Sequence, residues 1–377
     1  MEESEVKDIL SHFSVIRDPR IERARRHKLE EILVIAVCGV ICGADSWVQI
    51  EAFGKAKESW LRTFLDLPHG IPSHDTFGRV FMLLSPEAFR ECFLNWIQSV
   101  TEVTQGSVIA IDGKTLRRSY DRQDGKEAIH MVSAWSSRNH LVLGQIKTDA
   151  KSNEITAIPK LLKLLDISGC IVTLDAMGTQ KEIAKKIVDG GGDYVLALKG
   201  NHQTIHDEVK LFLDEGLKED FQEVESTYYE TVDKGHGRLE VRRYWLVRDV
   251  EWLEDRDLWK GLSSLGMVEA ERTVNGKTST ERRYYLSSLQ GKAQEFAEAV
   301  RGHWGIENSL HWVLDVVFRE DESRVRKGHA SENLAMLRHI ALNLLKQNKT
   351  SKNSIKGKRL TAGWNNDFLA EVLFLRN

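Results

Sequence analysis

The stretches SVIAIDGKT, residues 107–115, and GCIVTLDAMGT, residues 169–179, decide the fold of this chain. Each contains a short, β-branched, apolar run that ends in an aspartate, Asp112 in the first and Asp175 in the second. Such runs are typical of buried strands. If the strands are neighbours, the two carboxylates lie close together. Like charges about 4 Å apart repel by about 4 kcal/mol at an effective dielectric near 20, so this pair needs a shared proton or a bound cation.

The residues around these stretches predict a mixed α/β core. IHMVSAWSS (129–137) and LVLGQIKT (141–148) complete an antiparallel meander with the first strand. NEITAIPKLLKLL (153–165) and TQKEIAKKIVDGG (179–191) have helical periodicity, and DYVLALKG (193–200) adds a strand. The order βββαβαβ predicts that the later strands are parallel and joined through helices.

The remaining regions differ in pattern from this block. Asn275-Gly276 between two strand-like runs indicates a hairpin in an otherwise charged, β-rich region. The expected organisation is an N-terminal helical, DNA-binding domain over 1–100, a first part of the core over 101–204, a β-rich insertion over 205–285, a second part of the core over 286–348, and a basic C-terminal tail over 349–377.

Composition describes an ordinary globular protein. The 377 residues are 41% hydrophobic and 29% charged, and the formal net charge of −3 means that any nucleic acid must be bound by local basic patches. The four cysteines lack zinc-site spacing, which favours reduced thiols in a cytosol. The acidic start is unlike a signal peptide, and the longest apolar run, 32–44, is too short to span a bilayer. We therefore expect a cytoplasmic protein without a membrane partner.

A third acid lies on a helical pattern far along the chain. In HWGIENSLHWVLD, residues 303–315, His303, Glu307 and His311 are spaced four residues apart and share one helix face. A zincin site needs two histidines at i and i+4 with a glutamate directly after the first, and that pattern is absent. The alternative is a structural helix that packs its apolar residues in the core, namely Trp304, Leu310, Trp312 and Val313.

Several basic groups are candidate DNA contacts. The segment 17–28 holds six lysines and arginines, and the segment 346–359 holds six with no acid. For each segment, the two interpretations are a solvated surface and a phosphate-binding surface. In the expected insertion, Lys234, His236, Arg242 and Arg243 belong to a DNA contact or to a solvated β-ribbon. The individual candidates are Lys114, Arg117, Arg118, Lys199, His202, Arg238, Arg301, His303, His311, Arg324 and Arg326.

At these residues the chain resembles the DDE transposases of bacterial insertion sequences, in the branch that includes the H-repeat-associated proteins. The matching segments are AIDGKTLRRS (110–119), TLDAMGTQKEIAKKIVDGGGDYVLALKGNH (173–202) and HWGIENSLHWVLDVVFREDESRVR (303–326). Together with the N-terminal helical region, the resemblance covers nearly the whole chain.

The resemblance implies an RNase H-like core, a mixed sheet flanked by helices, with a β-rich insertion before the last catalytic helix. It also implies that Asp112, Asp175 and Glu307 are the catalytic residues and bind two Mg²⁺ ions, for which Mn²⁺ substitutes. One ion would activate water and later a DNA 3′-hydroxyl, and the other would stabilise the leaving oxygen. The choice of Mg²⁺ agrees with its preference for oxygen ligands.

The expected function is therefore metal-dependent cleavage of double-stranded DNA at transposon ends and strand transfer into target DNA, performed by a homodimer on DNA. The alternative is an RNase H-like endonuclease, or a host-recruited DNA-binding protein, that no longer transfers strands. Related transposases carry Tyr, Arg and Lys around the last acid, where this chain has Val300, His303 and Leu314. If Glu307 is not the third acid, Asp315 and Asp321 are the next candidates.

Overall fold

A nine-stranded mixed sheet forms the centre of the protein. The computed structural model describes residues 9–101, 105–120, 127–148, 153–222, 224–235 and 237–375. The strands are β1 (Val108–Thr115), β2 (His130–Ser136), β3 (Leu141–Lys147), β4 (Ile171–Leu174), β5 (Asp193–Leu198), β6 (Ser226–Gly235), β7 (Arg238–Val247), β8 (Ser264–Val274) and β9 (Lys277–Ser287).

The order of the strands across the sheet is β3-β2-β1-β4-β5-β9-β8-β7-β6. The first three strands pair antiparallel, whereas β1 with β4 and β4 with β5 pair parallel. Both the meander and the parallel crossovers predicted from the sequence are confirmed. The arrangement of the first five strands is RNase H-like, as the resemblance implies.

The region predicted as a β-rich insertion continues the core sheet. It begins with the helix Gln203–Lys218, and its four strands form two hairpins that end at β9. β9 pairs antiparallel with β5, from Val195 opposite Ser287 to Leu198 opposite Tyr284. The Asn275-Gly276 turn has φ values of 51° and 74°, as a tight hairpin turn requires, so the hairpin prediction is confirmed.

Helices cover both faces of the sheet and make up the N-terminal region. They are α1 (Ile9–Phe13), α2 (Leu29–Ile41), α3 (Trp47–Ala56), α4 (Glu58–Leu61), α5 (His74–Leu83), α6 (Pro86–Val100), α7 (Glu154–Leu162), α8 (Lys181–Asp189), α9 (Gln203–Lys218), α10 (Ala293–Ile306), α11 (Trp312–Val316), α12 (Ala330–Gln347), α13 (Ile355–Trp364) and α14 (Asn366–Leu373). Successive side chains of a strand point to opposite faces of the sheet. On one face, Val108 and Ile171 cluster with α10, and on the other, Ile109 and Val172 belong to the main core with α7 and α8.

Two buried helices join the N-terminal region to the core. α2 is apolar on nearly every side, which is why it is buried almost completely. It packs against α12, which also contacts α5, α6 and β3. Asn343 of α12 bonds both the N–H and the carbonyl of Val142 in β3 at 2.9 Å, which fixes the helix against the sheet edge.

The predicted basic tail is largely helical. Residues 349–377 contain α13 and α14, whose apolar residues Phe368 and Leu369 enter the main core. Lys358 and Arg359 are buried and donate to backbone carbonyls, Lys358 to those of Leu345 and Asn348 and Arg359 to that of Val40. These two charges therefore support the fold. Within the described residues, no helix is both long and apolar enough to span a bilayer.

Candidate active site

Asp112 and Asp175 lie side by side where β4 ends next to β1. Asp112 is the fifth residue of β1, and Asp175 follows β4 directly. The parallel register places Ile111 opposite Leu174, so the next residue on each strand is the aspartate. The prediction that these strands are neighbours is confirmed.

Helix α10 brings the third acid over these strand ends. It packs against β1 and β4, and the hydroxyl of Thr173 on β4 is 3.0 Å from Nδ1 of His303. Ser137 donates a hydrogen bond to the carbonyl of Gly302 at 2.8 Å. A Cβ at Gly302 would lie only 2.8 Å from Cγ1 of Val108, so glycine permits this close approach.

Glu307 begins a π-helical stretch, Glu307–His311, that joins α10 to α11. Such stretches occur frequently at functional sites because they change the direction of side chains within a helix. Nδ1 of His311 is 3.4 Å from Oδ2 of Asp112 and 3.6 Å from Oε2 of Glu307. One ligand atom from each of these three residues lies within 4.8 Å of the others, which is compatible with one shared metal ion.

The charges of this group are strongly coupled. Burial, together with the nearby carboxylates of Glu307, Glu154 and Asp175, raises the pKa of Asp112 to about 7. His311 opposes this effect, and the same imidazole lowers the pKa of Glu307. Burial lowers the pKa of His303. Without a cation, the site therefore favours a proton on Asp112.

A cavity of about 400 Å³ opens in front of the acids. All three acids line it, together with Lys199 and His303 from the predicted set. Residues 281–285 of β9 form another part of the wall, and the guanidinium of Arg283 lies 4.9 Å from the ring centroid of Trp304. The sequence did not predict that these residues line the cavity, because only the pairing of β9 with β5 brings them close to the acids.

The prediction that Trp304 and Trp312 pack in the core is wrong. Trp304 is 41% exposed and Trp312 is 57% exposed, whereas Leu310 and Val313 are buried as expected. The buried face of this helix holds Leu310 and Val313, and the two indoles lie outside that face.

Lys114 is not a free surface cation. Its ammonium pairs with the carboxylates of Asp315 and Glu320, the latter at 2.9 Å, and its side chain is 12% exposed. Asp321 is 3.8 Å away, and Arg338 of α12 is 3.4 Å from Glu320. We call these five residues the Lys114 cluster. It ties β1, two residues after Asp112, to the segment after α11, and it removes Lys114 from the groups that can meet a phosphate directly.

The other predicted DNA contacts are scattered. Arg117 is exposed and pairs with Asp321 at 3.2 Å. Arg326 donates to the carbonyl of Arg118 at 3.0 Å. His202 donates to the carbonyl of Thr179 at 2.6 Å, which gives it a structural contact. Three further arginines are exposed, Arg238 at the hairpin turn, Arg301 on α10 and Arg324 in the segment after α11.

The three hairpin arginines that were candidate DNA contacts are paired with acids. Arg238 lies 3.3 Å from Glu240, and Arg242 pairs with Asp233 at 2.5 Å. Arg243 lies within 3.3 Å of three glutamates, namely Glu230, Glu269 and Glu271. Lys234 is exposed near the turn, and His236 lies outside the described residues. These ion pairs favour the solvated β-ribbon for this surface.

Comparison with known protein families identifies the chain. The family described as the transposase DDE domain matches residues 104–344, and the domain described as DDE_Tnp_1-associated matches residues 10–97. The chain belongs to the DDE transposase family. Membership gives its general function, that of a DNA transposase.

Similar proteins cover the chain almost completely. "H repeat-associated putative transposase YhhI" of Escherichia coli strain K12 is 44% identical over 98% of both chains. "Putative transposase YncI" of Escherichia coli O157:H7 is 44% identical over 98% of this chain and 95% of its own. Among solved structures, a piggyBac transposase in a synaptic complex with hairpin DNA aligns with a TM-score of 0.44 and 13% identity, over 100% of this chain and 79% of that one.

Proposed function

We propose that this transposase cleaves double-stranded DNA at the ends of a transposable element and transfers the freed strands into target DNA, with catalysis dependent on divalent metal ions. The observation that carries the proposal is the convergence of Asp112, Asp175 and Glu307 on one cavity, from two adjacent parallel strands and one helix. Two carboxylates from strands and one from a helix form a suitable ligand set for phosphodiester chemistry.

The residues present fit divalent cations. Three carboxylates supply the oxygen ligands that Mg²⁺ and Mn²⁺ prefer, and burial of Asp112 among other carboxylates raises its pKa, a cost that a bound cation would relieve. We propose that Asp112, Asp175 and Glu307 hold two ions, with Nδ1 of His311 as a further ligand beside Asp112 and Glu307. Bound cations would supply activation of the attacking oxygen and stabilisation of the leaving oxygen.

The protein's own groups would position the DNA strand. Lys199 lines the cavity and would attract the phosphates of the DNA strand, whereas Arg283, also in the lining, pairs with Glu281 at 2.8 Å. The contact of Thr173 with His303 and the Lys114 cluster hold the helix of Glu307 against the strands of the two aspartates. Because two ends must be joined to one target, we propose that a homodimer acts on DNA.

Cleavage of DNA that carries the element's own terminal repeats tests the proposal. Wild type with Mg²⁺ should nick at the repeat ends, and Asp112→Asn, Asp175→Asn and Glu307→Gln should each abolish nicking. Glu298→Gln, which changes an exposed glutamate on the same helix as a matched control, should cleave normally. Retained cleavage in the three site variants would refute the assignment.

The second candidate is an endonuclease that cuts but no longer joins strands, and it needs the same three acids. Supplying pre-cut ends and a target plasmid separates the two functions. Joined products support the transposase, whereas nicking without any joined product supports the endonuclease.

A further inference from the structure

A second cavity, of about 630 Å³, lies in the N-terminal helical region, between residues 19–27 and the start of α5. Its charged lining consists of Arg20, Arg26 and Arg79 with His27 and His69, and no carboxylate belongs to the described residues that line it. We call this cavity the N-terminal groove. In a chain with a net charge of −3, a cavity with three arginines and no carboxylate among its described lining residues is a local site for an anion.

Two of the arginines are available to a ligand. The guanidinium of Arg20 is buried, pairs with Asp18 at 2.8 Å and donates to the carbonyl of His27 at 2.7 Å, so it supports the loop. Arg26 and Arg79 are exposed, and neither forms an ion pair with a carboxylate within the described ranges. Arg79 donates a hydrogen bond to the backbone carbonyl of Asp75, at 3.4 Å.

His27 and the start of α5 also line the groove. His27 is 8% exposed, and its Nδ1 has no hydrogen-bond partner among the described residues, so this ring nitrogen of a lining residue can carry a proton and donate it to a ligand. The ten-residue helix α5 begins at the groove, with Ser73 as its N-cap and Thr76 in its first turn. Acids already compensate this helix end, since Glu51 accepts from the N–H of His74 at 2.7 Å and Asp75 lies in the first turn, so the arginines supply the positive charge of the groove.

Features beyond the charges point to a polymer rather than a small anion. Ile21, which is 59% exposed, and Leu83, which is 47% exposed, place apolar surface inside the groove next to the arginines. Exposed Arg17 and Arg23 continue the basic surface along the same segment. A DNA backbone presents phosphates at regular intervals with apolar sugar faces between them, which matches this combination.

We propose that the N-terminal groove binds the phosphodiester backbone of a DNA duplex through Arg26 and Arg79, at a site separate from the three acids. The identity of the ligand as DNA rests on the proposed function. The groove also lies close to the segment that follows the catalytic helix, because the N–H of His329 donates to the carbonyl of Met82, the neighbour of Leu83, at 3.2 Å. DNA held there would lie on a region that shares the main hydrophobic core with the helical segment that follows Glu307.

The test is duplex binding by the full chain, measured by fluorescence anisotropy in EDTA so that no cleavage occurs. The double variant Arg26→Gln, Arg79→Gln keeps part of each side-chain stem and removes both charges. Loss of two phosphate contacts should reduce the slope of log K against log salt by about 1.8 and weaken binding about tenfold or more near physiological salt. Thermal unfolding checks that the variant folds.

The matched control is Lys210→Gln, Lys218→Gln, which removes two exposed charges from α9. If both double variants bind duplex with equal affinity and slope, the groove does not bind DNA. A second experiment measures the binding of inorganic phosphate and of deoxythymidine monophosphate to the same proteins. If the groove variant loses these small ligands but keeps duplex affinity, the groove is a small-anion site and the proposal is wrong.

Failure of the groove and failure of the proposed function give different results. Normal duplex binding by the groove variant, with repeat-end cleavage intact in wild type, refutes only the groove. Lost duplex binding by the variant, with no cleavage by wild type, supports the groove and refutes the catalytic proposal.

Discussion

At the scale of single residues, the electrostatics of the site centre on Asp112. Its carboxylate is close to three other acids, and burial raises its pKa to about 7. In the unfolded chain, the same group has a pKa near 3.8. Between these values, the folded state binds more protons than the unfolded state. The contribution of Asp112 therefore lowers stability as pH rises from about 4 to about 7.

Asp112→Asn should stabilise the metal-free protein at pH 8. The asparagine cannot ionise, so the free energy of unfolding should rise by up to about 4 kcal/mol relative to wild type, with a much smaller difference at pH 5. Urea denaturation in EDTA at both pH values measures this, and added Mn²⁺ should narrow the gap by stabilising wild type. An equal difference at pH 5 and pH 8 would contradict the assigned cause.

The proposed ligand role of His311 can be tested without catalysis, because a histidine would add a nitrogen to the metal site. Its Nδ1 lies within 3.6 Å of oxygens of both Asp112 and Glu307. Mn²⁺ bound to the protein should show nitrogen hyperfine coupling in pulsed electron paramagnetic resonance. His311→Gln should abolish that coupling and weaken Mn²⁺ binding by about tenfold. Coupling that survives in the variant would assign the nitrogen elsewhere, and His303→Gln is the matched comparison.

At the scale of elements, the interruption of one long helix by a π-helical stretch directs Glu307 and His311 towards β1. The segment after α11 then folds back, and the Lys114 cluster attaches it to the same strand. Glu320 is 3% exposed and depends on Lys114 and Arg338 for compensation of its charge. Burial of such a charge is tolerated only while its partners remain.

Lys114→Met should be strongly destabilising. It leaves Glu320 with one partner at 3.4 Å and Asp315 with none in the cluster, and breaking a buried pair on one side costs about 3–5 kcal/mol. Arg117→Ala removes an exposed partner of Asp321 and should cost less than about 1 kcal/mol. Chemical denaturation of both variants makes the comparison. Similar losses for the two would mean that the cluster does not support the fold.

At the scale of the whole molecule, the N-terminal helices, the sheet and the C-terminal helices share one hydrophobic core, which extends from Ile9 to Leu373. The last two helices complete it. Four residues of α14, Phe368, Leu369, Val372 and Leu373, are buried in this core. Burial of each such side chain stabilises the folded state by about 1.5–3 kcal/mol. This end of the chain therefore stabilises the fold in addition to carrying basic residues.

Removal of residues 349–377 should therefore unfold or aggregate the protein rather than only weaken DNA binding. Thermal unfolding and light scattering of the truncated chain measure this. The exposed charges Lys352 and Lys356 remain candidates for phosphate contact. Lys352→Gln with Lys356→Gln should leave the unfolding temperature unchanged and reduce the salt slope of duplex binding by at most about 1.8. A stable, folded truncated protein would contradict the structural role of α14.

The sequence by itself determined the local elements and the acids. Short β-branched runs predicted the five strands of the RNase H-like core, and their order predicted which strands are parallel, because a helix between two strands returns the chain in the same direction. Neighbouring strands then placed Asp112 beside Asp175. The spacing of four residues indicated that His303, Glu307 and His311 belong together. All of these follow from local periodicity and chain connectivity.

Only the tertiary structure decided what each charged residue contacts. The sequence suggests free cations at four positions that are in fact paired, namely Lys114, Arg242, Lys358 and Arg359. Their partners are acids or backbone carbonyls on other elements, which include a neighbouring strand for Arg242. The extension of the core sheet by β9 and the acid-free lining of the N-terminal groove depend equally on long-range packing. Periodicity reports which face of an element is buried, but the partner of a charge is set by how the elements meet.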